Sequence, residues 1–490
     1  MTMHDETKTL LPPDHLEAAS TSDVFLVEPH SLRSEVASLI KLAYPMVATY
    51  LMEFLPGFLS VLLVGHLESP LTKEYVDAAA LSTVFLNLSG LSIGFGLASA
   101  LDTLCSQAVG AGKTNLLGGY LQCGLLVLAV TYVPMFLLNY NSGLFLVWLG
   151  QDPVVASLAG EFSRVTVFCL PLCFTYELLK KVLQAQHIAA PMAYIAITSN
   201  LLYAGVGYYL CYFTDAGFLG IAYARLVCNT SLPLLAILYI KYTRVHEQWW
   251  PQGSSWTSQW HDAVRLVGEF LQFGVPAMAM MLLEWWALEI LTLMAGWMPS
   301  PVLAISVHSV AKNHMLSHLI FLGLSIATTI RLGNEIGAYE PMRAKVIVSA
   351  SYVVVAATAT VLGAFVLAFR LVLPAWLIND ASSIRALRTT QGALYILVVY
   401  QFVDAMKVAA QGLLRGMGRQ AIGAHVNAVA YCAIGLPLAA LFGFLADLDV
   451  PGLWMGMTIG VSSAFVFFTV YLARTNWRRV ADDAASRMDK

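Results

Sequence analysis

The stretch QAVGAG at residues 107–112 returns as NEIGAY at 334–339, 227 residues further along the 490-residue chain. The same offset aligns YELLKKVLQ at 176–184 with VDAMKVAAQ at 403–411. Because the offset is constant and charged residues align as well as apolar ones, we interpret the chain as an internal repeat. The repeat predicts a fold of two pseudo-symmetric halves.

The repeat pairs polar residues across the two halves. The matched pairs are Glu177 with Asp404, Lys180 with Lys407, Gln184 with Gln411, Asn200 with Asn427 and, at an offset of 231, Pro45 with Pro276 and Glu53 with Glu284. Halves of equal orientation with a substrate path between them are a transporter architecture. A membrane enzyme would need one asymmetric site, so the repeat argues against an enzyme.

The composition places the protein in a lipid bilayer. Hydrophobic residues make up 58% of the chain and charged residues only 12%, with a mean hydropathy of +0.70, whereas soluble proteins carry about 25% charged residues. One large buried core is excluded because single cores stop growing near about 250–300 residues. The net charge of −3 provides no field for binding nucleic acid. The seven cysteines lie in apolar stretches and show no metal-ligand spacing.

Apolar stretches long enough to cross the roughly 30 Å of bilayer hydrocarbon recur along the chain. They must be helical because backbone polar groups in lipid have to be paired within the segment. We therefore predict an all-α membrane protein with twelve transmembrane helices, at 36–63, 78–109, 117–139, 158–187, 191–213, 217–240, 266–293, 302–336, 344–370, 386–415, 422–445 and 451–473. The predicted order is a disordered cytoplasmic tail (1–35), an N-terminal six-helix lobe (36–240), a cytoplasmic linker (241–265), a C-terminal six-helix lobe (266–473) and a cytoplasmic tail (474–490).

Lysine and arginine residues set the expected orientation. If both termini are cytoplasmic, the loops and tails on that side carry nineteen of these residues and the opposite loops carry four. Such an excess marks the cytoplasmic side. We therefore expect an integral membrane protein with both termini in the cytoplasm. Glu6, Leu10 and Leu11 resemble an acidic dileucine sorting signal, which leaves the plasma membrane and a vacuolar or lysosomal membrane as alternatives.

Four of the acidic residues inside the predicted spans stand out, namely Glu53, Glu284, Glu289 and Asp404. A charge at the bilayer centre costs at least about 2.5–3.5 kcal/mol, so these carboxylates must be paired, hydrated or functional. Buried carboxylates bind protons more readily, and a proton-coupled carrier needs such groups. The alternative is a structural ion pair, because Asp404 and Lys407 are separated by three residues and share one helix face.

Other polar and aromatic residues accompany these acids. Trp285 and Tyr400 lie near them in sequence and could hold a flat organic cation by stacking, although packing is their alternative role. Asn200 and Asn427 are buried amides at matched places in the repeat that need hydrogen-bond partners. We predict that they line the substrate cleft with Glu53, Trp285 and Tyr400, and bonding between helices is their alternative role. His314 and His318 share one helix face, where hydrogen bonding is a more common role than metal binding, and we expect no metal site.

The sequence resembles the multidrug and toxin extrusion (MATE) family of eukaryotic type. The resemblance spans about residues 35–475 and is carried by SIGFGLASALDTLCSQAVGAG (92–112), GQDP (150–153), PAMAMMLLEWWALE (276–289), TTIRLGNEIGA (328–338) and GLLRGMGRQAIGAHVNAVAYCAIGLP (412–437). It implies two six-helix lobes around a cleft, and coupling acids at Glu284, Glu289 and Asp404. Lys312 stands where mammalian-type members have an acid, and Lys407 where plant-type members have glutamine. Both lysines are therefore expected to modulate coupling.

These observations lead to one functional hypothesis and its alternatives. We expect an antiporter that exports amphiphilic, cationic organic compounds or metabolites in exchange for protons by alternating access, with Glu53 facing the substrate cleft. A sodium-coupled exporter of the same fold and a lipid or lipid-linked flippase are the alternatives. We expect the small organic substrate and the bilayer as partners, a monomer, and no cofactor beyond a proton or sodium ion.

Overall fold

The computed structural model describes residues 31–67, 69–250, 255–312, 314–370, 372 and 384–488. The helices of the first half are α1 (Leu32–Gly65), α2 (Thr72–Leu86), α3 (Ser92–Ala98), α4 (Ala100–Gly110), α5 (Leu116–Tyr140), α6 (Ser142–Trp148), α7 (Pro153–Thr166), α8 (Cys169–Ala185), α9 (Ala190–Tyr212) and α10 (Gly217–Thr243). Those of the second half are α11 (Trp256–Gly296), α12 (Pro301–Lys312), α13 (His314–Gly337), α14 (Pro341–Ala368), α15 (Ile384–Gly416), α16 (Gln420–Asn427), α17 (Leu436–Ala440), α18 (Asp449–Ala473) and α19 (Trp477–Met488). The π-helical segments Asn87–Leu91 and Ala428–Gly435 each join two consecutive α-helices, a third at Leu441–Leu445 follows α17, and Val245–Gln248 is a 3₁₀ turn.

The structure is an all-α membrane protein with the twelve-helix arrangement that the sequence predicted. Ten helical segments of the described chain are long and apolar enough to cross a bilayer, and the pair α7 and α8, bent by 48°, forms an eleventh span. Helix α9 has 23 residues, which at 1.5 Å per residue also reaches across the hydrocarbon. Large apolar side chains such as Phe58, Leu201 and Val361 are exposed on the outside, as lipid contact requires.

The structure adds detail to several predicted segments. The span predicted at 302–336 corresponds to one apolar helical segment, Leu303–Gly337, which is described as α12 and α13 on either side of Asn313, a residue outside the described part of the chain. In the segment predicted as a linker at 241–265, α11 already begins at Trp256. Within the tail predicted at 474–490, residues 477–488 form the helix α19.

The two lobes contact each other at the ends of their helices that lie nearest the chain termini. The repeated glycines Gly110 and Gly337 lie at this interface, and the two contacts are related by the repeat. A methyl group on Gly110 would overlap the carbonyl of Asn334, and one on Gly337 would overlap the carbonyl of Gln107. Only glycine permits backbones to approach this closely, so the stretches that mark the repeat in the sequence also form the contact between its halves.

Helix α19 packs across this interface. Its apolar side, which includes Val480 and Ala484, is buried against the core of the C-terminal lobe. Its other end contacts the N-terminal lobe, where Arg487 Nη2 donates to Gln107 Oε1 at 2.8 Å and Lys113 Nζ donates to the Met488 carbonyl at 2.9 Å. The C-terminal segment is thus a structural part of the fold on the side of the termini.

Two lysines counted as loop residues in the orientation argument are buried. Lys180 and Lys181 lie inside α8, with 0% and 4% of their surface exposed. Removing them leaves seventeen lysines and arginines on the side of the termini against four on the other. The excess persists, and the expected orientation remains a prediction.

Candidate functional site

A cluster of four titratable side chains lies inside the C-terminal lobe. The Nζ atom of Lys407 lies 2.9 Å from Glu284 Oε1 and 2.9 Å from Asp404 Oδ1. The same ammonium donates to the Tyr431 hydroxyl at 2.6 Å. Lys407 has 0% of its surface exposed, so its charge is compensated entirely by these neighbours. We call Glu284, His318, Asp404 and Lys407 the C-lobe cluster.

The C-lobe cluster is assembled from three helices. Asp404 and Lys407 lie three residues apart on α15 and therefore share a face, and the ion pair that this spacing predicted is present. Glu284 lies on α11, and His318 comes from α13, which packs along α15. The Nδ1 atom of His318 lies 2.8 Å from Asp404 Oδ2, and its Nε2 atom lies 3.8 Å from Glu284 Oε1.

The N-terminal lobe holds a related cluster at the positions that the repeat matches. Lys180 Nζ lies 2.8 Å from Glu53 Oε2 and 2.6 Å from Glu177 Oε2. Lys181 extends the cluster, since its Nζ lies 2.8 Å from Asp102 Oδ1 and 3.3 Å from Glu177 Oε1. We call Glu53, Asp102, Glu177, Lys180 and Lys181 the N-lobe cluster. Its members alternate in charge from one end to the other.

Each cluster borders a cavity within its own lobe. The cavity of the C-terminal lobe has an empty volume of about 630 Å³, and its lining includes Glu284, Trp285, His318, Gln411 and Arg415. The cavity of the N-terminal lobe has an empty volume of about 760 Å³, and its lining includes Glu53, Tyr176, Glu177, Asn200 and Arg225. Both cavities combine apolar walls with a few polar groups, which is the usual composition of a site for a small organic molecule.

The predicted substrate-cleft residues separate into two groups. Glu53 and Asn200 line the N-lobe cavity, and Trp285 lines the C-lobe cavity. Tyr400 is instead 2% exposed, with its ring centroid 5.0 Å from that of Trp454 and 5.2 Å from that of His314. Tyr400 therefore does not line the cleft as expected. Trp454 of α18 covers its ring, and Tyr400 is part of the core of the lobe.

The two matched asparagines bond to the first helix of their respective lobes. Asn200 Nδ2 donates to the Met52 carbonyl at 2.7 Å, whereas Asn427 Nδ2 donates to the Met280 carbonyl at 3.3 Å. Asn427 Oδ1 also accepts from Gln411 Nε2 at 3.2 Å, and its surface is 0% exposed. Asn427 thus lies in the protein interior and joins helices rather than facing a cleft.

One of the predicted coupling residues, Glu289, lies apart from the C-lobe cluster. Glu289 is partly exposed on α11 and lies outside both the C-lobe cluster and the described lining of the adjacent cavity. The side chain of Lys312 lies outside the described residues. Of the predicted coupling acids, the structure therefore brings Glu284 and Asp404 together with Lys407.

The partners of His318 are the feature that sequence reasoning missed. His318 had been considered with His314, but His314 faces the rings of Tyr400 and Trp454. The repeat gives no signal for the contact of His318 with Asp404, because its matched position in the first half is Leu91. Only the packing of α13 on α15 reveals it.

The donor atoms of Glu284, His318 and Asp404 lie within 4.8 Å of one another, a spacing that could surround a metal ion. The Lys407 ammonium, however, contacts both carboxylates at 2.9 Å and already supplies their positive partner. A divalent cation would have to enter beside this buried charge, which like-charge repulsion in a low-dielectric site opposes strongly. The residues present therefore do not fit a resident metal.

Comparison with known protein families also divides the chain into two halves. The MatE family model matches the chain twice, at residues 45–209 and again at 276–441. Protein DETOXIFICATION 16 of Arabidopsis thaliana is 32% identical over 468 residues, covering 94% of this chain and 93% of that protein. Multidrug and toxin extrusion protein 2 of Mus musculus is 31% identical, covering 93% of this chain and 77% of that protein. The crystal structure of the eukaryotic MATE transporter AtDTX14 superimposes with a TM-score of 0.86 at 30% identity, covering 93% of this chain and 99% of that chain.

Proposed function

The chain belongs to the MatE family of multidrug and toxin extrusion transporters, and we propose that it exports amphiphilic organic compounds, including cations, in exchange for protons. The protein is an integral membrane transporter of the efflux type. Beyond membership of the family, we propose the coupling ion, the class of substrate and an orientation with both termini in the cytoplasm.

The observation that supports proton coupling is the C-lobe cluster at the wall of a cavity. The His318 imidazole lies within 4 Å of the carboxylates of Glu284 and Asp404, and the buried ammonium of Lys407 also lies within 4 Å of both carboxylates. Such groups can gain or lose one proton with little movement, and the change in charge alters how strongly the helices that carry them attract each other. Since α11, α13 and α15 each contribute to the cluster, one proton can change the packing of three helices.

The position of the lobe contacts supports alternating access. Gly323 on α13 lies against Val47 of α1, and Gly96 on α3 lies against Met278 of α11. Glu53 lies six residues after Val47 on α1, and Glu284 lies six residues after Met278 on α11. At 1.5 Å per residue, each acid is about 9 Å further than the lobe contact from the end of the protein that carries the termini. With cytoplasmic termini, the protein is closed toward the cytoplasm and its clusters lie beyond the closed contact.

The available driving forces suffice for concentrative export. Each pH unit supplies about 1.4 kcal/mol per proton, and each 100 mV of membrane potential supplies about 2.3 kcal/mol per charge. A gradient of about one pH unit is thus enough for a roughly tenfold accumulation of a neutral substrate exchanged for one proton.

Transport in proteoliposomes tests the proposal. Purified protein would be given an imposed pH gradient and radiolabelled tetraethylammonium, with a neutral aromatic amphiphile as a second substrate. We expect accumulation driven by the pH gradient, and loss of that component in Glu284→Gln. Glu161→Gln, an exposed position on α7, is the matched control and should transport normally. Accumulation driven by a sodium gradient alone, or full pH-driven transport by Glu284→Gln, would refute the proposed coupling.

A further inference from the structure

We propose that the coupling proton is carried by the imidazole of His318, and that Glu284 and Asp404 remain carboxylates throughout the transport cycle. This inference rests on the proton antiport proposed above and assigns its proton to one side chain. The imidazole lies between the two carboxylates, 2.8 Å from Asp404 Oδ2 through Nδ1 and 3.8 Å from Glu284 Oε1 through Nε2. It also lines the C-lobe cavity, from which a proton can reach it.

The first argument is that Lys407 already holds both carboxylates as anions. Its ammonium lies 2.9 Å from an oxygen of each, and it is fully buried. A proton placed on either carboxylate would neutralise one of the two anions that the ammonium contacts and weaken that charge-assisted hydrogen bond. The other carboxylate would still balance the charge of Lys407, so the cost lies in the weakened contact. Lys407 therefore acts as a built-in cation that opposes protonation of the acids.

The second argument comes from the two nitrogens of the imidazole. A neutral histidine has one N–H group and one lone pair. With the N–H on Nδ1 donated to Asp404, the lone pair on Nε2 faces an oxygen of Glu284 and the two acceptors repel each other. A proton added to Nε2 converts this contact into an attraction between an N–H group and a carboxylate. The charge of the C-lobe cluster then changes from −1 to zero, which a low-dielectric site favours.

The charged groups that face the His318 imidazole are the other members of the C-lobe cluster. Helix α15 presents Asp404 and Lys407 to the imidazole, and α11 presents Glu284. One turn earlier on α13, His314 packs against aromatic rings. The neighbouring helices α1 and α14 meet α13 closer to the termini, through Val47 at Gly323, through the Glu35–Arg331 ion pair at 3.0 Å, and through the 3.0 Å hydrogen bond between Ser351 and Thr328.

The variant His318→Asn separates proton binding from structure. An asparagine amide places an N–H donor near the position of Nδ1, where it can still donate to Asp404, but it binds no proton near neutral pH. In proteoliposomes we expect exchange of labelled for unlabelled tetraethylammonium to continue, because exchange needs no net proton movement. Accumulation driven by a pH gradient should fall by about tenfold or more, and substrate entry should no longer release protons to a pH-sensitive dye. Unchanged pH-driven accumulation and unchanged proton release in His318→Asn would overturn the inference.

His425→Gln is the matched control, because His425 is exposed on α16 and its Nδ1 lies 2.6 Å from the carbonyl of Ala421 within its own helix. This variant should retain the pH response of the wild type. If the wild type itself moves no protons with substrate, the proposed function fails. A proton-coupled wild type whose coupling survives in His318→Asn refutes the role of His318 alone.

A measurement on the unaltered protein keeps the inference testable if His318→Asn does not fold. Infrared difference spectra of the wild type between acidic and alkaline buffer should show no band from a newly protonated carboxyl group of the C-lobe cluster. The imidazole ring bands, which isotope labelling of histidine shifts, should be weaker in His318→Gln, where ten of the eleven histidines remain. A band from a newly protonated carboxyl group that disappears in Glu284→Gln would place the proton on the acid and contradict the inference.

Discussion

The N-lobe and C-lobe clusters share a core of one lysine between two carboxylates, but they are completed by different residues. In the N-terminal lobe Lys181 adds a second buried ion pair with Asp102 at 2.8 Å. The repeat places Val408 and Thr329 at the positions of this second pair, so the C-terminal lobe lacks it. There, His318 joins from another helix at 2.8 Å from Asp404.

If His318 carries the coupling proton as proposed, this difference separates a structural role from a coupling role. Lysine and carboxylate side chains ordinarily keep their charge across the physiological range, whereas histidine is the side chain that gains or loses a proton near neutral pH. The N-lobe cluster contains no histidine, and its ion pairs join α1, α4 and α8. The C-lobe cluster keeps the same core and adds a titratable group beside a cavity. On that proposal, the duplicated scaffold carries an ion-pair network in one half and a proton-sensitive network in the other.

The largest effect should follow from removing the central lysine of the N-lobe cluster. Lys180→Met leaves Glu53 and Glu177 close together with a single lysine, Lys181, still beside Glu177. Breaking a buried ion pair in this way costs about 3–5 kcal/mol. We expect a strongly reduced melting temperature in detergent, measured by intrinsic fluorescence, and poor recovery of folded protein.

The double variant Glu53→Gln/Lys180→Met removes one negative and one positive charge together, so it should regain most of the lost stability. A single variant as stable as the wild type would show that the N-lobe cluster is hydrated and has no structural role. A double variant no better than the single one would attribute the loss to packing of the lysine stem instead.

The corresponding change in the C-terminal lobe should alter coupling. Lys407→Gln removes the built-in cation beside His318, which makes proton binding by the C-lobe cluster more favourable. The pH at which pH-driven uptake is half-maximal should therefore move upward, by about one unit or more. Uptake of tetraethylammonium measured over a series of pH values checks this, with Lys345→Gln on α14 as a control. A downward shift would mean that Lys407 is not the charge that limits proton binding.

Much of the fold could be predicted from the sequence, because it depends on local or repeated features. The scarcity of charge fixed the membrane class, and the constant offset fixed the two related halves. The spacing of Asp404 and Lys407 gave their ion pair, since a helix places residues three apart on one face. The contact of Lys407 with Glu284 was also within reach, because the repeat matches both residues to Lys180 and Glu53.

What could not be predicted depends on how helices from distant parts of the chain pack. No sequence pattern predicts that α13 packs against α15. Because Leu91 occupies the position that matches His318, the repeat gives no indication of the contact between His318 and Asp404. Tyr400 was assigned to the cleft because it lies near Asp404 in sequence, but Trp454 covers it from α18. Lys180 and Lys181 resemble a basic loop in sequence, yet Glu53, Glu177 and Asp102 bind them in the interior.

A smaller effect should distinguish the two matched asparagines. Asn427→Ala removes a donor to the Met280 carbonyl and leaves the buried amide of Gln411 without its acceptor. Asn200→Ala removes one hydrogen bond, to Met52, beside a cavity where water can replace it. We expect Asn427→Ala to lower the free energy of unfolding by about 1–3 kcal/mol and Asn200→Ala to lower it by less. Denaturant titration in detergent compares them, and equal losses would contradict the structural assignment of Asn427.

The smallest effect concerns His187, the histidine by which the N-terminal lobe contacts its partner lobe. It lies in the loop between α8 and α9, where its Nε2 donates to the side-chain carbonyl of Asn334 at 2.7 Å. Burial and the nearby charge of Arg331 lower the pKa of His187. Because this pKa is lowered in the closed state, the contact is fully stable above about pH 6.5, the value for a free histidine. It weakens as the pH falls below that value and His187 becomes charged beside Arg331.

Acidification on the side of the termini should therefore favour separation of the lobes there, by less than about 1 kcal/mol per pH unit, since one proton contributes at most about 1.4 kcal/mol. Distances between spin labels on the ends of α5 and α14 would report the closed fraction. The experiment belongs in the His318→Asn background, so that titration of the C-lobe cluster does not contribute. His187→Gln should abolish the remaining pH dependence, because glutamine still donates to Asn334 but cannot become charged. A closed fraction that still falls in acid in the double variant would place the second pH-sensitive group elsewhere in the lobe interface.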